Sequence, residues 1–409
     1  SPTVALSYPM ALTPEKKAAV EAYQDMGNDV QKDLISQLFH AATEKNQEFH
    51  DFTVGSPLTG SDTPLVILNK EDHTYIDVES GEVYGSTTTK IKGKLNDPTD
   101  KYKINRDIGN DFDVIMDHLA QFKPIDQLPK MNVLNKAQVQ RAIDQIQTVL
   151  TMYRAQGAVI IPQVVIADSA SSTAGTIDLL AVHDDGTLQI IDLKVSKNSI
   201  YSPTYDKAFP NSIYEGSVFY DPQVSNENQF RMSTRMQQSL QVNTYKRILE
   251  NMGYEVRQDS QTIHFLVEVT GQGKKQKFSG KFEFEGQTTH NGQDNASYIN
   301  EIVPVNVDAN FAEKIAQQNQ DNGGPREAPL SPEEELPQDD TLDDDTYKAI
   351  YTTVLDFKEK LLTRREAIEL LQDRIKQSSN TQRILKEIDG AIALINLSVT
   401  QGTADVAYE

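Results

Sequence analysis

The most constraining feature of this sequence is a group of three β-type segments near the middle of its 409 residues. Residues 158–167, 176–183 and 188–195 are rich in Val, Ile and Leu, and an Asp-Asp-Gly turn separates the last two. An Asp-Gly step between two apolar runs is a strong β-hairpin signal. Because helical patterns lie on both sides of these strands, the sequence predicts an α/β fold with a mixed central sheet flanked by helices.

The other elements follow from apolar spacing and turn signals. Apolar residues three or four apart predict helices, and short β-type runs bounded by turn residues predict strands. The predicted helices occupy 13–50 (with a break near Gly27), 106–122, 135–156 and 229–252. The other predicted strands occupy 65–68, 74–78, 82–89, 262–270 and 278–284.

An acidic tract marks the main domain boundary. Residues 327–345 contain nine acidic residues and no basic ones. Such a tract buries little apolar surface and is typical of a solvated linker. The predicted segments are an N-terminal helical extension at 1–60, an α/β domain at 61–308 with an insert at about 198–228, an acidic linker at 309–345, and a small C-terminal helical domain at 346–409.

Two aspartates and a lysine stand on the predicted hairpin. Residues two apart in a strand point to the same face, so Asp192 and Lys194 project together, and the hairpin can bring Asp178 beside them. All three interrupt apolar runs, where an unpaired charge is costly. Two carboxylates beside an ammonium can hold a hard divalent cation through oxygen. An ordinary ion pair at the ends of surface strands is the alternative.

The whole arrangement, Gly-x-Ile-Asp178, hairpin, Ile-Ile-Asp192-x-Lys194, resembles the PD-(D/E)XK nuclease superfamily and, within it, the RecB-like and phage-exonuclease branch. That branch usually carries a Gln-x-x-x-Tyr motif on a helix after the catalytic strands. Gln241 and Tyr245 match this motif, and a spacing of four puts both on one helical face. An ordinary amphipathic helix would show the same spacing.

Three further positions bear on the resemblance, which covers about residues 65–270. A segment rich in Ser and Thr at 84–90 resembles one that precedes the first helix of the branch. Asp113 stands where that helix often carries a His, and a carboxylate is a harder ligand than imidazole for Mg²⁺. A solvated helix face is the alternative for Asp113. Gln163 departs from the pattern, because many relatives carry a Glu there.

The resemblance implies a restriction-endonuclease-like core and metal-dependent hydrolysis of DNA, as an exonuclease of a kind that phages encode. The implied ligands for Mg²⁺ or Mn²⁺ are Asp113, Asp178, Asp192 and the backbone carbonyl of Leu193. The residues implied to assist the attacking water, or to position the phosphate, are Lys194, Gln241 and Tyr245. The cations implied to lie near the DNA backbone are Arg231, Arg235 and Lys246.

Composition and missing motifs argue against several other classes of protein function. A net charge of −21 argues against a protein that coats nucleic acid with a basic surface. We expect no membrane segment, since no apolar run approaches the length of a span. The absence of cysteine excludes thiolate chemistry and fits the cytoplasm, which would be the host's for a phage protein. The patterns of phosphate-binding, dinucleotide-binding and serine-hydrolase loops are missing.

Two other functions stay open. A non-catalytic protein that keeps the nuclease fold, as a virion or assembly component, is suggested by Gln163, by the net charge and by the long extra segments. A binding module that engages a protein partner through its C-terminal helices is the third possibility.

Overall fold

The structure, a computed structural model, describes residues 14–45, 52–55, 66–69, 72–94, 103–209 and 212–306, with isolated positions between 352 and 373. The predicted acidic linker and almost all of the predicted C-terminal domain lie outside these residues. The helices are α1 (Pro14–Met26), α2 (Asp29–Lys45), α3 (Thr87–Lys92), α4 (Lys103–Ala120), α5 (Lys136–Arg154), α6 (Thr234–Asn251) and α7 (Ala296–Ile302). The strands are β1 (Phe52–Thr53), β2 (Val66–Asn69), β3 (Thr74–Asp77), β4 (Val83–Ser86), β5 (Val159–Asp168), β6 (Thr173–Val182), β7 (Leu188–Ser196), β8 (Asp259–Thr270) and β9 (Lys277–Asn291).

The strands form one mixed sheet. Its main path runs β2-β3-β4-β6-β7-β8-β9, while β5 also pairs with β6, and β1 with β5. The pairs β1–β5, β4–β6 and β7–β8 are parallel, and the remaining pairs are antiparallel. The antiparallel hairpin of β6 and β7 is the one that the Asp-Gly turn predicts.

Helices cover both faces of this sheet. One face packs against α1, α2, α6 and α7 in an apolar cluster that includes Leu38 and Leu240. The opposite face packs against α4 and α5 in a second cluster that includes Phe112 and Ile146. The α/β class and the mixed sheet flanked by helices are therefore confirmed. Among the helices that the structure describes, none combines the length and the apolar character of a membrane span.

The N-terminal helices belong to the same core as the sheet. Strand β1 adds to the edge of β5, and Leu38 of α2 is fully buried beside residues of β5, β6 and α6. The side chain of Gln31 is also buried, and its Nε2 donates to the carbonyls of Gly157, at 2.6 Å, and Val182, at 2.9 Å. The predicted N-terminal extension is thus an integral layer of the α/β domain.

One predicted element changes type along its length. The run at 82–89 was expected to be a strand, but strand β4 ends at Ser86 and α3 begins at Thr87. The side chain of Ser86 accepts a hydrogen bond from the N–H of Thr89, at 3.1 Å. Capping of this kind starts a helix, and it explains why the hydroxyl-rich run leaves the sheet.

Candidate active site

The site lies at a fork in the sheet. Strand β5 pairs with β6 from one end to the other, except at Gln163, so β4 and β7 must share the other edge of β6. β4 pairs with residues 173–174 and β7 with residues 179–182. Residues 175–178 therefore face the gap where β4 and β7 separate, and Asp178 is the last of them.

Asp178 and Asp192 meet across the β6–β7 hairpin. The register of the hairpin, continued one step beyond its last pair, sets these two aspartates opposite each other. Asp178 Oδ2 accepts a hydrogen bond from the backbone N–H of Leu193, at 2.7 Å. Lys194 Nζ lies 3.0 Å from Asp192 Oδ2, and the side chain of Asp192 is only 3% exposed. The structure thus brings together the three charged residues of the predicted motif.

Gln241 and Tyr245 complete this group from helix α6. Lys194 Nζ donates to Gln241 Oε1, at 2.9 Å, and Gln241 Nε2 donates to Tyr245 OH, at 3.1 Å. Because the amide NH₂ is engaged by the tyrosine, its oxygen is turned towards the lysine. The ring of Tyr245 packs so closely on β6 that a Cβ at Gly175 would collide with it. Gly175 therefore leaves the space that Tyr245 needs in order to take part in the hydrogen bonds that link Lys194, Gln241 and Tyr245.

Burial and repulsion set the charges of the cluster. Burial raises the pKa of Asp113 to about 7, and the charge of Asp192 adds to this shift. Burial also raises the pKa of Asp178, with help from repulsion by Asp192 and Asp113. Burial alone would lower the pKa of Lys194, but attraction by Asp192 and Asp178 outweighs it, and the pKa is raised. Lys194 is therefore an ammonium at neutral pH and acts as a donor.

The pair of aspartates has the chemistry of a divalent-cation site. Asp192 Oδ2 is buried and accepts no aligned hydrogen bond from the described residues, with the ion pair to Lys194 beside it. Mg²⁺ is commonly held by one or two carboxylates and completed by water and substrate phosphates. Asp178 and Asp192 meet that requirement. In the described ranges no three or more His, Asp or Glu side chains form a metal-ligating group, so Asp113 does not complete a three-carboxylate shell here.

The cations predicted to lie near DNA have different surroundings. Arg231 is exposed, and its Nη2 donates to the carbonyl of Glu227, at 2.8 Å. Arg235 is also exposed, pairs with Asp206 and stacks on a tyrosine ring. Lys246 is 3% exposed and its ammonium pairs with Glu250, at 2.7 Å. This burial corrects the assignment of Lys246, because helix α6 turns its side chain away from solvent.

Gln163 lies directly across the β5–β6 ladder from Asp178. Its φ of 51° is in the left-handed region, and the pairing of these two residues is missing from an otherwise continuous ladder. Ile161 and Val164 are three residues apart and yet face the same apolar cluster. The alternation of β5 therefore shifts by one residue beside Asp178. A non-glycine residue with this backbone conformation is strained, and such strain gathers at functional sites.

Two features near the site escape sequence reasoning. Burial lowers the pKa of Lys92, the last residue of α3, and the positive charge of Lys194 lowers that pKa further. A buried polar layer also lies beside Lys194, because β8 sets His264 next to it in the sheet. His264 Nε2 lies 2.9 Å from Thr288 Oγ1, and Tyr205 of the insert reaches the same threonine, at 3.3 Å. Both features join residues far apart in the chain, so local periodicity carries no signal for them.

Comparison with protein-family models, with curated proteins and with solved structures finds no match to this chain. The case for a function therefore rests on the fold and on the chemistry of the site.

Proposed function

We propose that this chain is a metal-dependent DNA nuclease with a PD-(D/E)XK-type core, and that it acts as an exonuclease of the RecB-like or phage type. The observation that carries the proposal is the contact of Asp178, Asp192 and Lys194 at the fork of the sheet, with Gln241 held on the lysine. Two acids and an ammonium in this arrangement suit hydrolysis of a phosphodiester.

Each side chain has a defined part in the proposed reaction. Asp178 and Asp192 would bind Mg²⁺ or Mn²⁺, which supplies positive charge against the phosphate and makes a nearby water easier to deprotonate. Lys194 keeps its proton, because its pKa is raised, and donates to the attacking water or to the phosphate oxygen that gains charge. Gln241 and Asp192 fix the direction of that ammonium. Tyr245 fixes the orientation of the Gln241 amide.

The direct test is degradation of linear and circular duplex DNA in the presence of Mg²⁺ or Mn²⁺. We expect the linear form to be degraded and the closed circle to be spared, since an exonuclease needs an end. Asp192→Ala should lower the rate by at least about 1,000-fold. Asp185→Asn is the matched control, because Asp185 is exposed at the tip of the same hairpin. Equal degradation by the wild type and Asp192→Ala would refute the proposal.

A second candidate is a non-catalytic protein with the same fold, in a virion or an assembly. Two observations favour it, namely the neutral Gln163 across from Asp178 and the lack of a three-residue metal-ligating group among the described residues. An intact site should raise the melting temperature when Mn²⁺ binds the folded state. A Mn²⁺-dependent rise that Asp178→Ala removes counts against the non-catalytic candidate, and no rise in the wild type favours it.

A further inference from the structure

We propose that Lys92 binds a phosphate of the DNA substrate at the rim of the catalytic cleft, next to Lys194. The inference rests on the proposed function and adds a substrate-binding residue to it. Lys92 lies outside the Asp-Lys hairpin and outside the Gln-Tyr helix, so neither motif includes it.

The backbone at Lys92 is held in place by the insert between β7 and α6. The N–H of Tyr214 donates to the carbonyl of Lys92, at 2.7 Å, and the N–H of Val218 donates to the carbonyl of Lys90, at 2.9 Å. Ser217 Oγ donates to the carbonyl of Ile91, at 2.7 Å. These bonds satisfy the last carbonyls of α3, which a helix end otherwise leaves unpaired. The insert therefore fixes the end of α3.

The next residue makes this junction specific. Gly93 has a φ of 76°, and a Cβ at this position would collide with the carbonyl of Tyr214. At the other end of α3, Thr87 Oγ1 donates to the carbonyl of Ala174 on β6, at 3.0 Å, next to the glycine that receives Tyr245. Helix α3 is thus fixed at both ends beside the fork of the sheet.

Among the residues that the structure describes, none supplies a counter-charge to the ammonium of Lys92. Its side chain is exposed, and no described residue accepts a hydrogen bond from it or forms an ion pair with it. Other cations near the site are paired, including Lys194 with Asp192 and Arg235 with Asp206. The residue as a whole is exposed, but neighbouring protein atoms partly bury its ammonium, and this burial lowers the pKa of Lys92. Repulsion by Lys194 lowers the pKa further.

An anion between the two lysines would remove this repulsion. A phosphodiester offers two charged oxygens, and each can accept a charge-assisted hydrogen bond from an ammonium. Lys194 is already engaged by Asp192 and Gln241 at the reacting position, whereas no acceptor within the described ranges engages the three N–H donors of Lys92. The geometry therefore assigns Lys92 to substrate binding, at a phosphate next to the scissile phosphate.

The experiment combines binding with cleavage. Binding of a labelled DNA duplex is measured by fluorescence anisotropy over a range of salt in the Asp192→Asn background, with and without Lys92→Gln. Cleavage of the same DNA in Mn²⁺ is measured with Lys92→Gln alone. The matched control is Lys94→Gln, an exposed lysine two residues further on.

We expect Lys92→Gln to weaken binding about 5- to 10-fold at low salt, and to reduce the slope of log K against log salt by about 1. KM should rise by a similar factor, while kcat changes less than about twofold. Lys94→Gln should behave like the parent. Unchanged binding and slope in Lys92→Gln would overturn the inference while the nuclease stands, as would an equal loss in Lys94→Gln. If the wild type neither binds nor cuts DNA, the proposed function itself fails.

Discussion

At the scale of single residues, Lys194 is held from two sides, by the carboxylate of Asp192 at 3.0 Å and by the amide of Gln241 at 2.9 Å. A long side chain held by only one partner samples several rotamers, and small misplacements in an active site are costly. The amide of Gln241 is therefore expected to matter through the position of the ammonium. Because the amide of Gln241 is neutral, its removal should change the position of the Lys194 ammonium without removing its charge.

The first prediction follows from that contact. Gln241→Met keeps the length of the side chain but removes the acceptor, and we expect kcat on linear DNA to fall about 10- to 100-fold. Tyr245→Phe removes only the hydroxyl that orients the amide, so its loss should be smaller. Steady-state kinetics in Mn²⁺ measure both. A fall in Tyr245→Phe that exceeds the fall in Gln241→Met would contradict the proposed order of the chain.

A second prediction concerns the glycine under Tyr245. In Gly175→Ala the new methyl group meets the tyrosine ring, so the ring or the strand must shift, at a cost of about 1–3 kcal/mol in the free energy of unfolding. Gly109→Ala is the control, because Gly109 lies inside helix α4 with open space around it. That change should stabilise the protein by about 0.5–1 kcal/mol. Urea unfolding followed by far-UV circular dichroism distinguishes the two signs.

The sequence predicts those contacts of the site that join residues close together in the chain, and it misses the contacts between residues far apart in the chain. The i, i+2 rule for strands places Asp192 with Lys194, and the i, i+4 rule for helices places Gln241 with Tyr245. The conformation of Gln163 and the position of Lys92 depend on neighbours far away in sequence. No local pattern encodes a left-handed residue in a β-type run, or an insert that caps a distant helix.

At the scale of elements, a polar layer separates helix α6 from strands β8 and β9. His290 Nε2 lies 2.8 Å from Thr262 Oγ1, and His264 makes the corresponding contact with Thr288. Both imidazoles are 3% exposed. Burial lowers the pKa of each histidine to about 4, and Arg235 adds to the shift while Asp192 opposes it. For His264, its neighbour His290 lowers the pKa and Lys194 lowers it too.

The third prediction is that these two histidines make a contribution to stability that is lost in acid. The unfolded chain protonates these histidines below their ordinary pKa of 6.5, whereas the folded chain keeps them neutral until about pH 4. Below pH 6.5 the unfolded state therefore binds more protons at these two positions, and their contribution to stability falls as pH drops towards 4. The loss is of order 1–3 kcal/mol per histidine. The raised pKa values of Asp113 and Asp178 act in the opposite direction, because there the folded state binds the extra protons. The contribution of a histidine is therefore measured as the difference in unfolding free energy between the wild type and a histidine variant from pH 4 to 8.

Relative to the wild type, His264→Gln should gain stability as the pH falls from about 6.5 to 4, because one of the two histidines that favour the unfolded state in acid is gone. The exposed His73 provides the control, and His73→Asn suits its φ of 55°. This control should keep the dependence of the wild type. If the stability difference between His264→Gln and the wild type stayed constant from pH 4 to 8, His264 would make no such contribution.

The insert shows what element prediction misses. An irregular segment rich in Tyr, Pro and Asn gives no periodic signal, and it was expected only as an insert at about 198–228. In the structure it is anchored by Tyr205, which is 5% exposed and donates to Gln238 of α6, at 2.6 Å. The insert contacts distant elements through individual side chains, and such contacts produce no periodic pattern in the sequence.

At the scale of the whole molecule, both helical layers support the fork that holds the site. Helix α6, which carries Gln241 and Tyr245, lies in the same apolar cluster as α1 and α2. Helix α4, which carries Asp113, packs in the cluster on the opposite face of the sheet. Sequence periodicity predicts α1, α2 and α6 of one layer and α4 and α5 of the other, but it does not predict α7. Which face each helix covers depends on crossover connections that periodicity does not encode.

The last prediction tests whether the N-terminal helices are part of the catalytic unit. Leu38 of α2 is fully buried, and Leu38→Ala should lower the free energy of unfolding by about 2–5 kcal/mol. Because α2 shares its core with β6 and α6, cleavage activity and far-UV ellipticity should be lost together along a urea series, at a lower midpoint than in the wild type. Lys32→Ala, on the exposed side of α2, should leave the midpoint in place. If Leu38→Ala lost helix signal first and kept its activity at the wild-type midpoint, α2 would be a separate unit, and the shared core would not govern the stability of the site.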